Sequence, residues 1–200
     1  MRRKRALVVT GVVCTGALAV GGIANGLHRA AGTPSAAPDI RGNAGTVEQV
    51  AQFAPESGRA ARQVVLQRTP DGYLCVWDSP DGTADHGVGG CNPADDPLAG
   101  HKVFVSLAYD GGPAIAAVRD ARLSGLAAVD AASARLVMTD GTTRSILLSS
   151  RSTHAVAGKD YRPFAYRVRR GDLERGVGPV AVLVLDAQGR VIDRQVTGIG

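Results

Sequence analysis

Aromatic residues make up only 4% of the 200-residue chain: three Phe, four Tyr and one Trp. That is too sparse for the stacking platforms on which single-stranded nucleic acids lie. Lysine is scarcer still, since 20 of the 23 basic residues are arginine. The net charge of +5 looks basic, but five of those 23 residues fall within the first 31, a stretch without any acid. The remaining 18 basic residues match 18 Asp and Glu, so residues 32–200 are formally neutral. Without a basic face to displace counterions from phosphates, nucleic-acid binding is excluded as an expectation. The chain also has no Gly-x-Ser-x-Gly elbow, no phosphate-binding glycine loop, no Gly-x-Gly-x-x-Gly and no His-Glu-x-x-His. These motifs mark serine hydrolases, nucleotide-binding sites and zinc proteases. No cofactor and no metal site are therefore expected, and no catalytic residue is assigned.

The N-terminus carries the strongest signal present. Arg2, Arg3, Lys4 and Arg5 precede Ala6–Ala24, 19 residues without a charge. As a helix this run would span roughly 28 Å, close to the ~30 Å hydrocarbon core of a bilayer. Positive charge ahead of it holds that end in the cytoplasm and puts the rest of the chain outside. Two outcomes fit. The run exceeds an ordinary signal core, which favours a single-pass anchor. Ala17-Leu18-Ala19, however, has the small-x-small pattern of a cleavage site, which would make the protein secreted. Cys14 lies inside this run after bulky Val13, a poor lipidation context. Residues 1–29 thus read as a charged N-terminus plus membrane segment. Residues 30–45, AAGTPSAAPDIRGNAG, read as a flexible linker.

Only Cys75 and Cys91 lie beyond the membrane segment. An isolated pair in an oxidising compartment is expected to form a disulfide. A zinc site would need about four ligands, and the chain offers no second cysteine pair.

Residues 46–200 are expected to form one mainly β domain, an antiparallel sandwich or partly open barrel. Thr46–Phe53, with apolar residues at 47, 50 and 53, predicts one short helix capped by Thr46. Strand signals dominate from Gln63 onward. Thr69-Pro-Asp-Gly72, Asp140-Gly141 and Asp186-Ala-Gln-Gly189 predict three hairpin turns. The alanine-rich stretch 114–129 is compatible with strand or helix.

Two charge features stand out in this domain. Asp71, Asp78, Asp81, Asp85, Asp95 and Asp96 lie in a stretch with no Lys or Arg. Asp78, Asp81 and Asp85 invite a calcium site, but their spacing lacks the alternate-position ligands and final Glu of an EF-hand. Between Arg151 and Arg175 there are seven basic residues and three acids. Arg162, Arg167, Arg169, Arg170 and Arg175 form a candidate anion-binding patch, with Arg167 and Arg169 on one strand face. Envelope polymers and lipid headgroups are the anions it would meet. Arg170-Gly171-Asp172 spells an adhesion-type tripeptide, with Gly171 expected to make a turn. Ser150, His154 and Asp160 lie close in sequence, which by itself does not make a catalytic triad.

Leu123–Leu148 (LSGLAAVDAASARLVMTDGTTRSILL), Tyr161–Gly176 (YRPFAYRVRRGDLERG) and Pro179–Gln195 (PVAVLVLDAQGRVIDRQ) resemble a group of exported actinobacterial proteins. These pair an N-terminal membrane segment with a small β-rich outer domain. The resemblance covers most of residues 60–200 and brings no activity with it. The function expected from the whole sequence is a non-catalytic interaction or structural domain tethered to the cell membrane through residues 6–24. Its partner would be an envelope polymer or protein. An envelope hydrolase is the alternative, and a sensor domain the third.

Overall fold

The computed structural model describes residues 45–197, except 55, 57 and 113. The expected membrane segment and nearly all of the linker lie outside the described residues. Among the described residues no helix is long and apolar enough to cross a membrane.

Eleven strands follow in chain order: β1 (Thr46–Gln52), β2 (Gln63–Arg68), β3 (Tyr73–Ser79), β4 (Val88–Pro93), β5 (Val103–Gly111), β6 (Val118–Ala127), β7 (Ser133–Met138), β8 (Thr143–Ile146), β9 (Arg162–Arg167), β10 (Pro179–Leu185) and β11 (Val191–Val196). Two short helices, α1 (His154–Ala157) and α2 (Arg170–Glu174), flank β9. The strands form three antiparallel sheets, ordered β1-β2-β3-β4, β11-β10-β7-β8 and β5-β6-β9. The mainly β architecture is as expected, and the described strands form no closed barrel.

The three-stranded sheet is the middle layer, and alternation along its strands shows why. Val103, Leu107, Ala121, Leu123 and Phe164 pack with Leu136, Met138, Val182 and Val184 of the β11-β10-β7-β8 sheet. Leu126, with Phe104 and Ala165 beside it, packs with Val64, Leu66, Leu74 and Val76 of the β1-β2-β3-β4 sheet. The middle sheet therefore has no solvent face, and each fully buried Leu, Val or Phe contributes on the order of 1.5–3 kcal/mol. Gly125 in β6 makes room for this packing. A Cβ there would lie 2.1 Å from the Phe104 carbonyl oxygen and 2.5 Å from Cζ of Phe164.

The hairpin turns are local chemistry. In the β2–β3 turn the Gly72 N–H donates to the Thr69 carbonyl. The Tyr73 N–H donates to Thr69 Oγ1, while Gly72 takes φ +83°. In the β7–β8 turn Asp140 Oδ1 accepts from the Thr142 N–H and hydroxyl, which leaves Gly141 at φ +78°. The ambiguous stretch resolves into a 3-10 turn, Ile115–Ala117, followed by β6.

The expected helix at Thr46–Phe53 is instead strand β1. Its register against β2 jumps between Gln49 and Ala51, so Val50 is the extra residue of a β-bulge. Val47, opposite Gln67, is exposed on the outer face, whereas Val50 and Phe53 are buried in the core. A three-residue apolar spacing thus arose from two faces and one inserted residue.

Cys75 and Cys91 are bonded, as expected, and are directly opposed Cα partners across β3 and β4. Their Cα atoms are 4.0 Å apart, below the usual 4.4–6.8 Å band and near the spacing of a narrow antiparallel pair. The bond lies on the outer face of its sheet beside Val65 and Trp77. There the Trp77 indole N–H donates to Gln67 Oε1 at 3.0 Å.

Candidate functional site

The five arginines of the expected anion-binding patch are dispersed to different duties. Arg167 is buried, with 2% of its side chain exposed, and cannot face a polymer. Its Nη2 donates to the Ala60 carbonyl at 2.8 Å and its guanidinium lies over the Phe53 ring. Arg169 does not share its face, because β9 ends at Arg167 and Arg169 caps the start of α2. Arg170 pairs with Glu174 in solvent, and Arg175 donates to Asp172. Arg162 binds the Ala131 carbonyl through Nη1 at 2.7 Å. Strand alternation correctly separates two faces, but in a middle layer neither face is outside.

Gly171 lies within α2 and makes no turn; Gly176, at φ +73°, follows the helix instead. Asp172 is buried and held by Arg144 and Arg175, so the Arg-Gly-Asp tripeptide does not present its acid to solvent.

Arg167 belongs to a charge network that the linear sequence hides. The β6–β9 register sets Arg122 directly opposite Arg167, both turned toward the β1-β2-β3-β4 sheet. Like charges so placed repel, and carboxylates from three strands surround them. Asp78 of β3, fully buried, accepts from Arg122 Nε at 2.6 Å and Arg62 Nε at 2.5 Å. Arg122 Nη1 also donates to Asp110 at 2.9 Å and to Asp120. Asp120 Oδ1 lies 3.1 Å from Arg59 Nη1 and 3.5 Å from Arg167 Nε, near enough for ion pairing but without hydrogen-bond geometry. Arg59 further donates to the Val168 carbonyl and pairs with Glu56. Four arginines (59, 62, 122, 167) thus meet four acids (56, 78, 110, 120). Burial works against the charge on Arg122, but Asp78, with Asp110 and Asp120, outweighs it and raises its pKa. At Arg167 burial prevails over Asp120, and Arg122 and Arg59 add to it, so its pKa falls. Arginine remains protonated throughout the working pH range in either case.

The acidic stretch is likewise taken up by structure. Asp78 enters the network. Asp81 accepts from the Ser79 hydroxyl, the Thr83 N–H and hydroxyl, and His86 Nδ1 at 2.7 Å. Those bonds, His86 first, hold the Asp81 carboxyl well below the usual carboxylate range. The hydrogen bond to Asp81, reinforced by its charge, raises the His86 pKa. A raised histidine pKa means that the pair favours the folded loop below the ordinary value of 6.5. That preference is lost as pH rises through the folded pKa. Following the His86 ring protons by NMR should give a midpoint above 6.5, and Asp81→Asn should return it toward that value. An unchanged midpoint in the variant would show that Asp81 does not govern the histidine.

One depression is open at the surface beside the start of β9. It has a volume of about 350 Å³ and is lined by Val129, Ser149, Ser150, Arg151, Ser152, Asp160, Tyr161 and Arg162. Asp160 Oδ1 accepts from the Ser152 hydroxyl at 2.6 Å. The His154 backbone N–H donates to Ser152 Oγ, and its ring does not line the depression. Ser150, His154 and Asp160 therefore do not form a hydrogen-bonded relay. His86 and His101 are absent from the lining as well. His101 instead lies 3.5 Å from Asp193. Among the described residues no cluster of three or more His, Cys, Asp or Glu could hold a metal ion.

No protein-family profile, curated protein or solved structure matches the chain.

Proposed function

We propose that the described domain is a non-catalytic binding module held on the outer side of the cytoplasmic membrane, either tethered through residues 6–24 or released. The observation that carries the binding-module reading is the chemistry of the surface depression. Its polar residues are serines, arginines, Tyr161 and one aspartate engaged with a serine. Such groups offer recognition by hydrogen bonds and charge. A hydrolytic site would need a base strong enough to activate its nucleophile. Asp160 is within reach of the Ser152 hydroxyl, but that bond holds its carboxyl below the usual carboxylate range and makes it a weak base. Support for the location comes from the basic N-terminal cluster, the uncharged run after it and the Cys75–Cys91 bond.

A periplasmic-type reporter fused after residue 200 of the full chain should be active, and a cytoplasmic reporter at the same point silent. Activity of the cytoplasmic reporter alone overturns the location. Cross-linking of the full chain in intact cells should capture a polymer or protein. Turnover of envelope material by the purified protein would overturn the non-catalytic reading.

A further inference from the structure

Of the seven basic residues between Arg151 and Arg175, Arg151 and Arg162 line one depression together. Arg151 Nη1 donates to the Gln49 carbonyl at 2.7 Å on the exposed edge of β1. Arg162 uses Nη1 to hold the Ala131 and Ala132 carbonyls. Each arginine is thus anchored through one nitrogen, which fixes the side chain while Nε and Nη2 take no partner among the described residues. An anchored guanidinium loses less freedom on binding than a waving one, and its planar fork matches two oxygens of a phosphate or carboxylate.

The remaining lining suits the neighbours of such an anion. Ser150 is exposed, and its hydroxyl takes no partner among the described residues. Asp160 is engaged through Oδ1 with Ser152, leaving Oδ2 to accept from a ligand hydroxyl. Val129, 63% exposed on the rim, offers an apolar edge to a carbon backbone. Two arginines against one aspartate leave a local positive charge in a domain whose overall field is near zero. The depression is open, which suits a segment of a long chain more than an enclosed metabolite.

From these placements we propose that the Arg151–Arg162 depression binds an anionic polyhydroxylated polymer. One phosphate or carboxylate would lie against the two guanidinium groups, with flanking hydroxyls on Ser150 and Asp160. The proposal rests on the binding-module reading and supplies its ligand class.

The test uses the purified full chain in neutral detergent with its disulfide intact, titrated at low salt by calorimetry. The probes are poly(glycerol phosphate), polygalacturonate, neutral dextran and phosphatidylglycerol vesicles. Binding to one or both anionic polymers, and not to dextran, is expected. The two polymer arms separate phosphate from carboxylate as the recognised group. Arg151→Gln with Arg162→Gln should weaken binding at least about tenfold. Arg169→Gln with Arg170→Gln, which removes as much charge from a different site, should change it less than about twofold. Because Arg162 also ties down two carbonyls, Ser150→Ala and Arg151→Gln are tested singly, each with its thermal unfolding recorded. Ser150→Ala should weaken binding without shifting unfolding. Arg151→Gln, which also releases the Gln49 carbonyl, should weaken binding at temperatures well below its own unfolding transition. Equal loss from both arginine pairs, binding only to vesicles, or no binding to either polymer overturns the proposal. Capture of a protein in intact cells together with no polymer binding would leave the module reading standing and this ligand class refuted.

Discussion

Asp78→Ala should lower the unfolding free energy by about 3–5 kcal/mol, the range for breaking a buried ion pair from one side. Asp78 is fully buried and bridges Arg62 and Arg122 from the inner face of β3. Without it, Arg122, with 3% of its side chain exposed, loses its Nε acceptor. It keeps only Asp110, which is two-thirds exposed, and Asp120, which it shares with Arg59 and Arg167. At roughly 2–4 °C per kcal/mol for a domain of this size, the melting temperature should fall by about 6–20 °C. Urea unfolding measures the loss directly. A decrease under 1 kcal/mol would mean that water replaces the carboxylate at little cost. Adding Arg62→Ala to Asp78→Ala should cost less than the sum of the single losses, because both remove the same contact. Replacing the network with apolar residues of similar volume is a different experiment and need not destabilise at all.

The second large effect concerns the Cys75–Cys91 bond. It closes a 15-residue loop, Val76–Gly90, worth about 3 kcal/mol through the entropy removed from the unfolded chain. Cys75→Ala with Cys91→Ala should lose about that much in denaturant unfolding, with the greatest local loss of hydrogen-exchange protection in β4. β4 is an edge strand whose residues are all at least partly exposed. Reducing the native protein is the companion measurement, since it opens the loop without deleting buried Cys75. If both treatments leave stability unchanged, the sheet holds β4 without the bond.

Much of the β framework is legible in the sequence because turns are short-range chemistry. Thr69–Gly72, Asp140-Gly141 and Asp186–Gly189 each join the expected pair of strands. β4 is not legible, because Val88-Gly-Gly-Cys-Asn-Pro93 has neither alternation nor β-branched density. β1 misleads because its bulge converts a period of two into an apparent three. The charge network escapes sequence reading for a different reason. Arg122 and Asp78 are 44 residues apart and meet only through the stacking of two sheets, while the pairing of β6 with β9 adds Arg167. No local signal marks these arginines, since β6 also carries Arg119, Asp120 and Ser124 and β9 opens on Arg162. The depression is equally invisible, since Val129 and Ser149 meet through the return of β9 to β6.

That return also sets a schedule for the newborn chain. The middle sheet begins with β5 and β6 but receives β9 only after β7 and β8 have begun another sheet. The latter in turn waits for β10, which pairs with β7 and then receives β11 on its free edge. The two layers are interleaved in time as well as in space. A chain emerging N-terminus first can close the β1–β4 hairpins early, yet the core beneath them waits for Ala165 of β9 and the other core for Val184 of β10. Until then the apolar faces of β6 and β7 are open to other chains. Because both cores share the β5-β6-β9 wall, each waits for β9 or later, so the segment from β9 onward carries a share of foldability out of proportion to its length.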